Sequence, residues 1–224
     1  MLGGHPALEK EMRSSEVGGV VLAAGLSQRF GRNKLLAEFG GRPMISWTVA
    51  AALASRLAPV VVVLGYEQPL VKAALAEFAF DPRLIFAIND DYRLGQSASV
   101  KAGLASLPAH CAAAMFVPAD QPRLTPAVID RLIEEFEKGQ ASICYPTFAG
   151  RRCSPVLFAA AHFPSILRLQ GDVGARGVIK AHPECVAEVA FAQEGPLLDV
   201  DNPEDALALA SMTERPGQRV RTAS

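Results

Sequence analysis

Residues 20–34 combine glycines with the cationic side chains of Arg29 and Lys34. The apolar residues at the start of this segment predict a buried strand, and Gly25 follows where the strand should end. Backbone N–H groups in such a loop can cradle phosphate oxygens, while Arg and Lys neutralise the phosphate charge. A residue without a Cβ lets the backbone come close to the ligand. The segment therefore predicts a loop that binds the triphosphate of a nucleotide.

The spacing of this loop differs from those of two common phosphate-binding motifs. A Walker A motif would need one residue fewer between Gly25 and Gly31 and a lysine directly after the second glycine, and the dinucleotide fingerprint is absent. The loop instead resembles Leu-Ala-Ala-Gly-x-Ser-x-Arg-Φ-Gly-x-x-Lys, the signature of nucleotidyltransferases built on one Rossmann-like sheet. The match holds at Leu22, Ala23, Ala24, Gly25, Ser27, Arg29, Gly31 and Lys34.

A carboxylate, Asp120, follows the hydrophobic run 113–117 and precedes Pro122, which favours a turn. Magnesium prefers hard oxygen ligands and usually takes one or two carboxylates together with phosphates of the substrate. Asp120 is therefore a candidate ligand for a divalent cation. The alternative is that it only begins the turn.

A second carboxylate could come from Asp199 or Asp201, which alternate on a predicted short strand before Pro203. Alternation places both side chains on one side of that strand. We favour Asp201 as the second metal ligand. The competing interpretation is that Asp201 or Asn202 caps the last helix.

Two further segments carry polar residues that could contact substrates. Segment 89–103 predicts a loop leading into a helix, so Ser97 and Ser99 could contact a base or ribose, or could simply cap the helix. Asp172 and Arg176 stand four residues apart at a predicted helix start. They could bind the phosphate of an acceptor, or they could form a local helix pair.

The alternation of apolar strands and amphipathic helices predicts the scaffold. It indicates an α/β protein with a three-layer α/β/α Rossmann-like nucleotidyltransferase fold and a mostly parallel central sheet, in which ligands bind beyond the carboxyl ends of the strands. One domain is expected over residues 17–212, with loose tails at 1–16 and 213–224. Predicted strands are 19–23, 60–64, 84–88, 113–117 and 143–146, with weaker ones near 155–158 and 186–189. Predicted helices are 44–54, 68–78, 97–107, 126–138 (capped by Thr125), 173–181 and 203–210.

Composition excludes several classes of function. The chain has 224 residues, of which half are hydrophobic and a fifth charged, and its net charge of −1 argues against a nucleic-acid surface. Apolar runs are much shorter than the roughly 20 residues of a membrane-spanning helix, and residues 1–16 lack the apolar stretch of a signal peptide. We therefore expect a cytoplasmic protein without membrane or nucleic-acid partners. The four cysteines include no pair at Cys-x-x-Cys spacing, and the four scattered histidines show no metal-ligand spacing to them, so we expect no structural zinc site.

Together these segments resemble the molybdenum cofactor cytidylyltransferases, a branch of the MobA-like nucleotidyltransferase superfamily, from Val20 to Leu209. The resemblance implies transfer of CMP from CTP to the terminal phosphate of Mo-molybdopterin, with release of pyrophosphate. The product would serve molybdenum hydroxylases of the xanthine dehydrogenase type. Expected partners are CTP and molybdopterin as substrates, together with an apo-hydroxylase or its maturation chaperone.

The resemblance also implies roles for single residues. Arg29 and the backbone of 25–27 would hold the β- and γ-phosphates, and Lys34 would stabilise charge on the α-phosphate. Mg²⁺ would bind Asp120 together with Asp201. Expected nucleotide-binding residues are Leu22, Ala23, Ala24, Gly25, Ser27, Gly95, Ser97 and Ser99, and expected acceptor-binding residues are Ser154, Asp172 and Arg176.

Other functions stay open at the level of sequence. Relatives that transfer GMP tend to have glycine where Ala24 stands, and its methyl group would crowd a purine. GTP as donor, or a sugar or polyol phosphate as acceptor, are alternatives within the enzyme class. A non-catalytic cofactor carrier or regulatory subunit is the alternative of another class. The presence of Arg29, Lys34 and Asp120 together favours an enzyme.

Overall fold

The computed structural model describes residues 16–27, 30–172 and 174–211. The predicted tails, apart from Glu16, lie outside these residues, as do Arg29 and Val173. The strands are β1 (Val17–Ala23), β2 (Glu38–Phe39), β3 (Arg42–Pro43), β4 (Val60–Leu64), β5 (Leu84–Ile88), β6 (Ala113–Pro118), β7 (Ile143–Phe148), β8 (Arg151–Arg152), β9 (Val156–Ala159) and β10 (Val186–Ala190). The helices are α1 (Met44–Ala54), α2 (Gln68–Ala73), α3 (Gln96–Ala105), α4 (Pro126–Glu137), α5 (Phe163–Leu167), α6 (Arg176–Ala181) and α7 (Pro203–Ser211).

Within the described residues, eight strands form one sheet in the order β10-β7-β9-β6-β1-β4-β5, with β8 paired to β7. The central pairs β6–β1, β1–β4 and β4–β5 are parallel, and so is the outer pair β7–β10. Strand β9 runs antiparallel to both of its neighbours. The prediction of a mostly parallel sheet is therefore confirmed.

Helices cover both faces of the sheet, as the apolar strands predict. Successive residues of β1 alternate between two cores: Val21 packs with residues of α1 and α4, and Val20 packs with residues of α3, α5 and α6. A Cβ on Gly103 of α3 would lie 2.2 Å from Cγ1 of Val20, so glycine lets this helix approach the strand directly. The result is the expected three-layer α/β/α arrangement.

Strand order explains why residues distant in the sequence share one crevice. After β1 the chain builds β4 and β5 on one side, then crosses to β6 on the other side of β1. Ligands in such sheets bind at this switch, beyond the carboxyl ends of the strands. Leu22 of β1 is in register with Pro118 of β6, so the loops after these two strands emerge side by side.

Two local predictions were wrong. The segment 68–78 is not one helix, because the chain leaves the α-helix after α2 and buries Leu75 before a 3₁₀ turn at Ala76–Phe78. Helix α6 begins at Arg176, so Asp172 precedes it and the two residues are not an i, i+4 pair on one helix. The prediction of Thr125 at the N-cap position of α4 is confirmed, although its side chain forms no capping hydrogen bond.

Among the described residues, none of the helices has the length and apolar character needed to cross a membrane.

Candidate active site

Two adjoining clefts open at the carboxyl ends of β1 and β6. The first, which we call the loop cleft, has a volume of about 680 Å³ and lies between residues 22–27 and 92–96. The second, the hairpin cleft, has a volume of about 390 Å³ and lies between the β7–β8 hairpin and α6. Leu22, Gln96 and Asp201 line both clefts. Molecules bound in the two clefts would therefore meet at a shared wall.

The glycine-bearing loop after β1 forms one side of the loop cleft. Gly25 is exposed, and a Cβ at this position would meet no atom within 4 Å. Ser27 has a φ of 52°, in the left-handed region, and its carbonyl accepts a hydrogen bond of 2.9 Å from the N–H of Phe30. A left-handed φ at a residue other than glycine, here Ser27, costs about 1 kcal/mol or more of conformational free energy. The turn leaves open space over the backbone, which suits the approach of phosphate oxygens.

Lys34 lines the loop cleft, on a 3₁₀ turn at Lys34–Leu36, and contacts Asp201, which lines both clefts and so marks their junction. Asn33 caps this turn, because its Oδ1 accepts a hydrogen bond of 3.1 Å from the N–H of Leu35. The Nζ of Lys34 contacts Oδ2 of Asp120 and lies 2.9 Å from the carbonyl oxygen of Val200 and 3.3 Å from Oδ1 of Asp201. Three oxygens from two distant loops thus surround one ammonium group.

The charges at this junction alter the ionisation of their neighbours. Burial by itself would lower the pKa of the Lys34 ammonium, but the carboxylates of Asp120 and Asp201 outweigh that effect and raise the pKa above its ordinary value. Asp199 keeps exposed surface, but the protein atoms packed around its carboxylate, and next the negative charge of Asp120, raise its pKa to about 7. The Lys34 side chain therefore stays protonated, and its positive charge is attracted to several neighbouring carboxylates.

The donor set at this junction fits a divalent cation. Among the described residues, Oδ1 of Asp120 is buried and has no hydrogen-bond partner. Unpaired buried oxygens of this kind are costly and commonly mark a place for an ion or water. Asp120 and Asp201 would be the ligands, and hard oxygen donors are typical of Mg²⁺ and Mn²⁺ sites. The position of Lys34 shows that these oxygens already accommodate a positive charge.

The last helix is capped without the side chain of Asp201. Oδ1 of Asn202 accepts a hydrogen bond of 2.8 Å from the N–H of Asp205, and Oδ2 of Asp205 accepts bonds from the N–H groups of Asp201 and Asn202 at 3.0 and 3.2 Å. This reciprocal pattern is a capping box. The carboxylate of Asp201 can therefore lie against Lys34, whereas Asp199 lines only the hairpin cleft.

Not every predicted nucleotide-binding residue lines the loop cleft. Leu22, Ala24, Gly25, Ser27, Gly95 and Ser99 line it. Ala23 is buried in β1, and Ser97 is 3% exposed, so both lie in the interior. The hydroxyl of Ser99 accepts a hydrogen bond of 3.0 Å from Nδ2 of Asn89.

The predicted acceptor residues divide between the two clefts. Ser154 and Arg176 line the hairpin cleft. Asp172 lines the loop cleft, where its Oδ1 accepts a hydrogen bond of 3.3 Å from the N–H of Gln96. Gly95 has a φ of 103°, and a Cβ there would lie 2.5 Å from the carbonyl carbon of Gly171, so the loops before α3 and α6 touch.

Several residues of the site did not emerge from sequence reasoning. Gln121 is fully buried, and its Nε2 donates to the carbonyl oxygens of Leu197 and Ser154 at 3.2 and 3.3 Å, which ties both walls of the hairpin cleft to the Asp120 loop. The sequence signal that could have identified Gln121 is its position directly after Asp120 in Pro-Ala-Asp-Gln-Pro. No residue spacing in the sequence pointed to Gln96, or to Arg151 and Arg152 of β8, which line the hairpin cleft.

Comparison with known proteins agrees with this geometry. The family model described as "MobA-like NTP transferase domain" matches residues 19–186. The chain is 33% identical over 199 residues to "Purine catabolism protein PucB" of Bacillus subtilis (strain 168), covering 87% of this chain and 96% of that protein. It is 27% identical over 139 residues to a protein of Thermococcus sibiricus named "Probable molybdenum cofactor guanylyltransferase", covering 62% of this chain and 65% of that protein. The structure resembles that of Rv0371c from Mycobacterium tuberculosis H37Rv, solved in complex with manganese, with a TM-score of 0.73 and 25% identity over 87% of this chain and 97% of that chain.

Proposed function

The chain belongs to the MobA-like NTP transferase domain family and is a nucleotidyltransferase, and from this premise we propose that it transfers CMP from CTP to the terminal phosphate of molybdopterin. In this reaction a bond forms between an oxygen of the acceptor phosphate and the α-phosphorus of CTP. The bond from the α-phosphorus to the bridging oxygen breaks, and pyrophosphate leaves. The product is the cytosine dinucleotide form of the cofactor.

The meeting of the two clefts carries this proposal. A transfer reaction needs a donor site and an acceptor site that meet at the reacting atoms. Leu22, Gln96 and Asp201 line both clefts, and Lys34 of the loop cleft contacts Asp120 and the shared residue Asp201. A binding module for a single ligand would not need a second cleft at this point.

The residues at the junction suit catalysis by positioning and charge neutralisation. The backbone of 25–27 would hold the β- and γ-phosphates, and the Lys34 ammonium would stabilise charge that builds up on the α-phosphate. Asp120 and Asp201 would hold Mg²⁺ or Mn²⁺, which when bound neutralises charge on the triphosphate. The proposed reaction needs no covalent intermediate between enzyme and substrate.

The hairpin cleft favours a flat heterocyclic acceptor with a phosphate over a sugar or polyol phosphate. Its lining includes the apolar side chains of Leu22, Val156 and Leu198 beside Phe116, which is 6% exposed. Arg152 and Arg176 line the same cleft and offer planar guanidinium groups for an anion, whereas Arg151 is paired with Glu194. A pterin that carries a terminal phosphate would use both features, because its ring system would cover the apolar side chains that a sugar or polyol would leave uncovered.

Transfer of GMP is the second candidate function, because the Thermococcus relative carries the name of a guanylyltransferase. Ala24 lines the loop cleft at the position where relatives that transfer GMP tend to have glycine, and we expect its methyl group to crowd a purine. This expected crowding supports CMP over GMP. The name of the Bacillus relative refers to purine catabolism, which fits a client hydroxylase of the xanthine dehydrogenase type.

The thermal stability of the protein with each of the four nucleoside triphosphates tests the donor. Binding to the folded state stabilises it by mass action, by about 2.7 kcal/mol at a ligand concentration of 100 times Kd. We expect the largest increase in Tm with CTP and Mg²⁺ together. A larger shift with GTP would overturn the choice of CMP. No shift with any nucleotide would instead support the non-catalytic carrier. Pyrophosphate release upon addition of molybdopterin then tests the acceptor.

We expect Arg176→Gln to weaken the acceptor side alone. A hydrogen bond to a charged group contributes roughly 1.5–3 kcal/mol, so KM for the acceptor should rise by about 10- to 100-fold while KM for CTP stays the same. The matched control is Arg168→Gln, an exposed arginine that contacts Ser165 and does not line either cleft. An unchanged KM for the acceptor would exclude Arg176 from its binding.

A further inference from the structure

A second group of metal-ligating side chains lies far from the two clefts, in the turn that leads into β10. Within the part of the chain that the structure describes, His182, Glu184 and Cys185 each offer a ligand atom, and these atoms all lie within 4.8 Å of one another. Strand β10 is parallel to β7, and its first residue, Val186, pairs with Ile143 at the start of β7. The group thus sits at the amino end of the parallel strands, opposite the edge that carries the nucleotide site.

The distances within this group are close to those of a tetrahedral metal site. Nδ1 of His182 lies 3.7 Å from Oε1 of Glu184, and Sγ of Cys185 lies 3.5 Å from the same oxygen. Zinc bonds of about 2.0–2.3 Å in tetrahedral geometry separate neighbouring ligand atoms by roughly 3.3–3.6 Å. Two of the three separations are therefore close to those around one zinc ion, and the third, between Nδ1 of His182 and Sγ of Cys185, is at most 4.8 Å.

Hydrogen bonds, both within the turn and to the neighbouring strand segment, fix the backbone that carries these ligands. Pro183 begins a 3₁₀ turn that ends at Cys185, and the N–H of Cys185 donates a hydrogen bond of 3.1 Å to the carbonyl of His182. The carbonyl of Cys185 in turn accepts a bond of 2.9 Å from the N–H of Ser142. A site whose backbone is already ordered loses little conformational entropy when it binds a ligand.

A buried histidine supports the ring of His182. The ring centroid of His162 lies 5.0 Å from that of His182, and its Nε2 shares a hydrogen bond of 2.8 Å with the hydroxyl of Ser142. Groups behind a metal-binding imidazole commonly fix its orientation and strengthen metal binding. Ser142 thus contacts both the turn and the ring that packs on His182.

We propose that His182, Glu184 and Cys185 form a site for a borderline-soft divalent cation, with zinc as the expected ion and water as the fourth ligand. A thiolate and an imidazole favour zinc over magnesium, whereas the carboxylates near Lys34 favour hard cations. The chain would therefore bind two kinds of metal at opposite ends of its sheet. Bound zinc would fasten the turn between α6 and β10, and it would stabilise the fold without entering the transfer reaction.

Cobalt(II) absorbance tests this site on the full-length protein after chelator treatment. A thiolate ligand gives a sulfur-to-cobalt charge-transfer band, which a site made of oxygens alone does not give. We expect one equivalent of Co²⁺ to produce the band, excess Mg²⁺ to leave it in place and one equivalent of Zn²⁺ to abolish it. Absence of the band from the unaltered protein would overturn the proposal.

Matched variants assign the band to particular side chains. We expect Cys185→Ser to abolish it and Cys153→Ser, at another partly buried free cysteine, to retain it. Glu184→Gln changes an exposed side chain, so folding should be unaffected and zinc affinity should fall by at least about tenfold. A band that survives in Cys185→Ser, or zinc affinity unchanged in Glu184→Gln, would refute this assignment. Nucleotide transfer by the Cys185→Ser variant should equal that of the unaltered protein.

Discussion

We expect Asp120→Asn to slow nucleotide transfer by about three orders of magnitude. The amide keeps the volume of the side chain but removes the charge that contacts Lys34 and would bind the divalent cation. Oδ1 of Asp120 is buried and has no hydrogen-bond partner among the described atoms, so one oxygen of this carboxylate is available to an ion. Release of pyrophosphate from CTP with the acceptor present measures the effect.

The matched control for this variant is Asp90→Asn, which changes an exposed carboxylate that does not line either cleft. Both variants should keep the circular dichroism spectrum of the unaltered protein, and only Asp120→Asn should lose Mn²⁺ binding in the presence of CTP. Near-native turnover of Asp120→Asn would remove this carboxylate from the mechanism.

Lys34→Ala should lower kcat by about a hundredfold or more and change KM for CTP much less. The reason is that the ammonium would act on charge that builds up at the α-phosphate during transfer, whereas the loop backbone would bind the rest of the triphosphate. Steady-state kinetics separate the two parameters. Lys138→Ala, which changes an exposed lysine paired with Glu135, is the matched control. An effect confined to KM would make Lys34 a residue for binding alone.

The Lys34→Ala variant should also bind Mn²⁺ more tightly than the unaltered protein. In the structure the Lys34 ammonium lies against Oδ2 of Asp120 and Oδ1 of Asp201, the two carboxylates that we propose as ligands of the divalent cation. Removal of the ammonium should therefore raise the affinity of the nucleotide-free protein for Mn²⁺ by about tenfold, corresponding to about 1.4 kcal/mol. Electron paramagnetic resonance of free Mn²⁺ measures this affinity. Weaker Mn²⁺ binding in the variant would show that Lys34 does not compete with the metal.

Local sequence patterns predicted the elements that lie on one stretch of chain. The bounds of β4, β5 and α1 are those expected from the sequence, because apolar runs and turn residues act on neighbouring positions. The predictions for the segment 68–78 and for helix α6 were less accurate. Helix α6 is shorter than predicted, and the chain before it packs against the loop of Gly95, more than seventy residues earlier.

The sequence could point to the signature loop and to Asp120 because the residues that mark each of them follow one another closely along the chain. The oxygens around the Lys34 ammonium could not, because Asp120 and Asp201 lie 86 and 167 positions away along the chain. Strand order brings them together, and strand order follows from packing across the whole sheet.

The sequence by itself thus determined the α/β class, and it pointed to the loop that we propose binds phosphate and to the candidate acids, since these depend on residue type and local spacing. Only the tertiary structure decided that Asn202 and Asp205 cap α7 while Asp201 contacts Lys34, and that Asp172 faces a different cleft from Arg176. The physical reason is that a polar side chain can satisfy its hydrogen bonds with several partners. The fold selects among them by which groups it buries side by side.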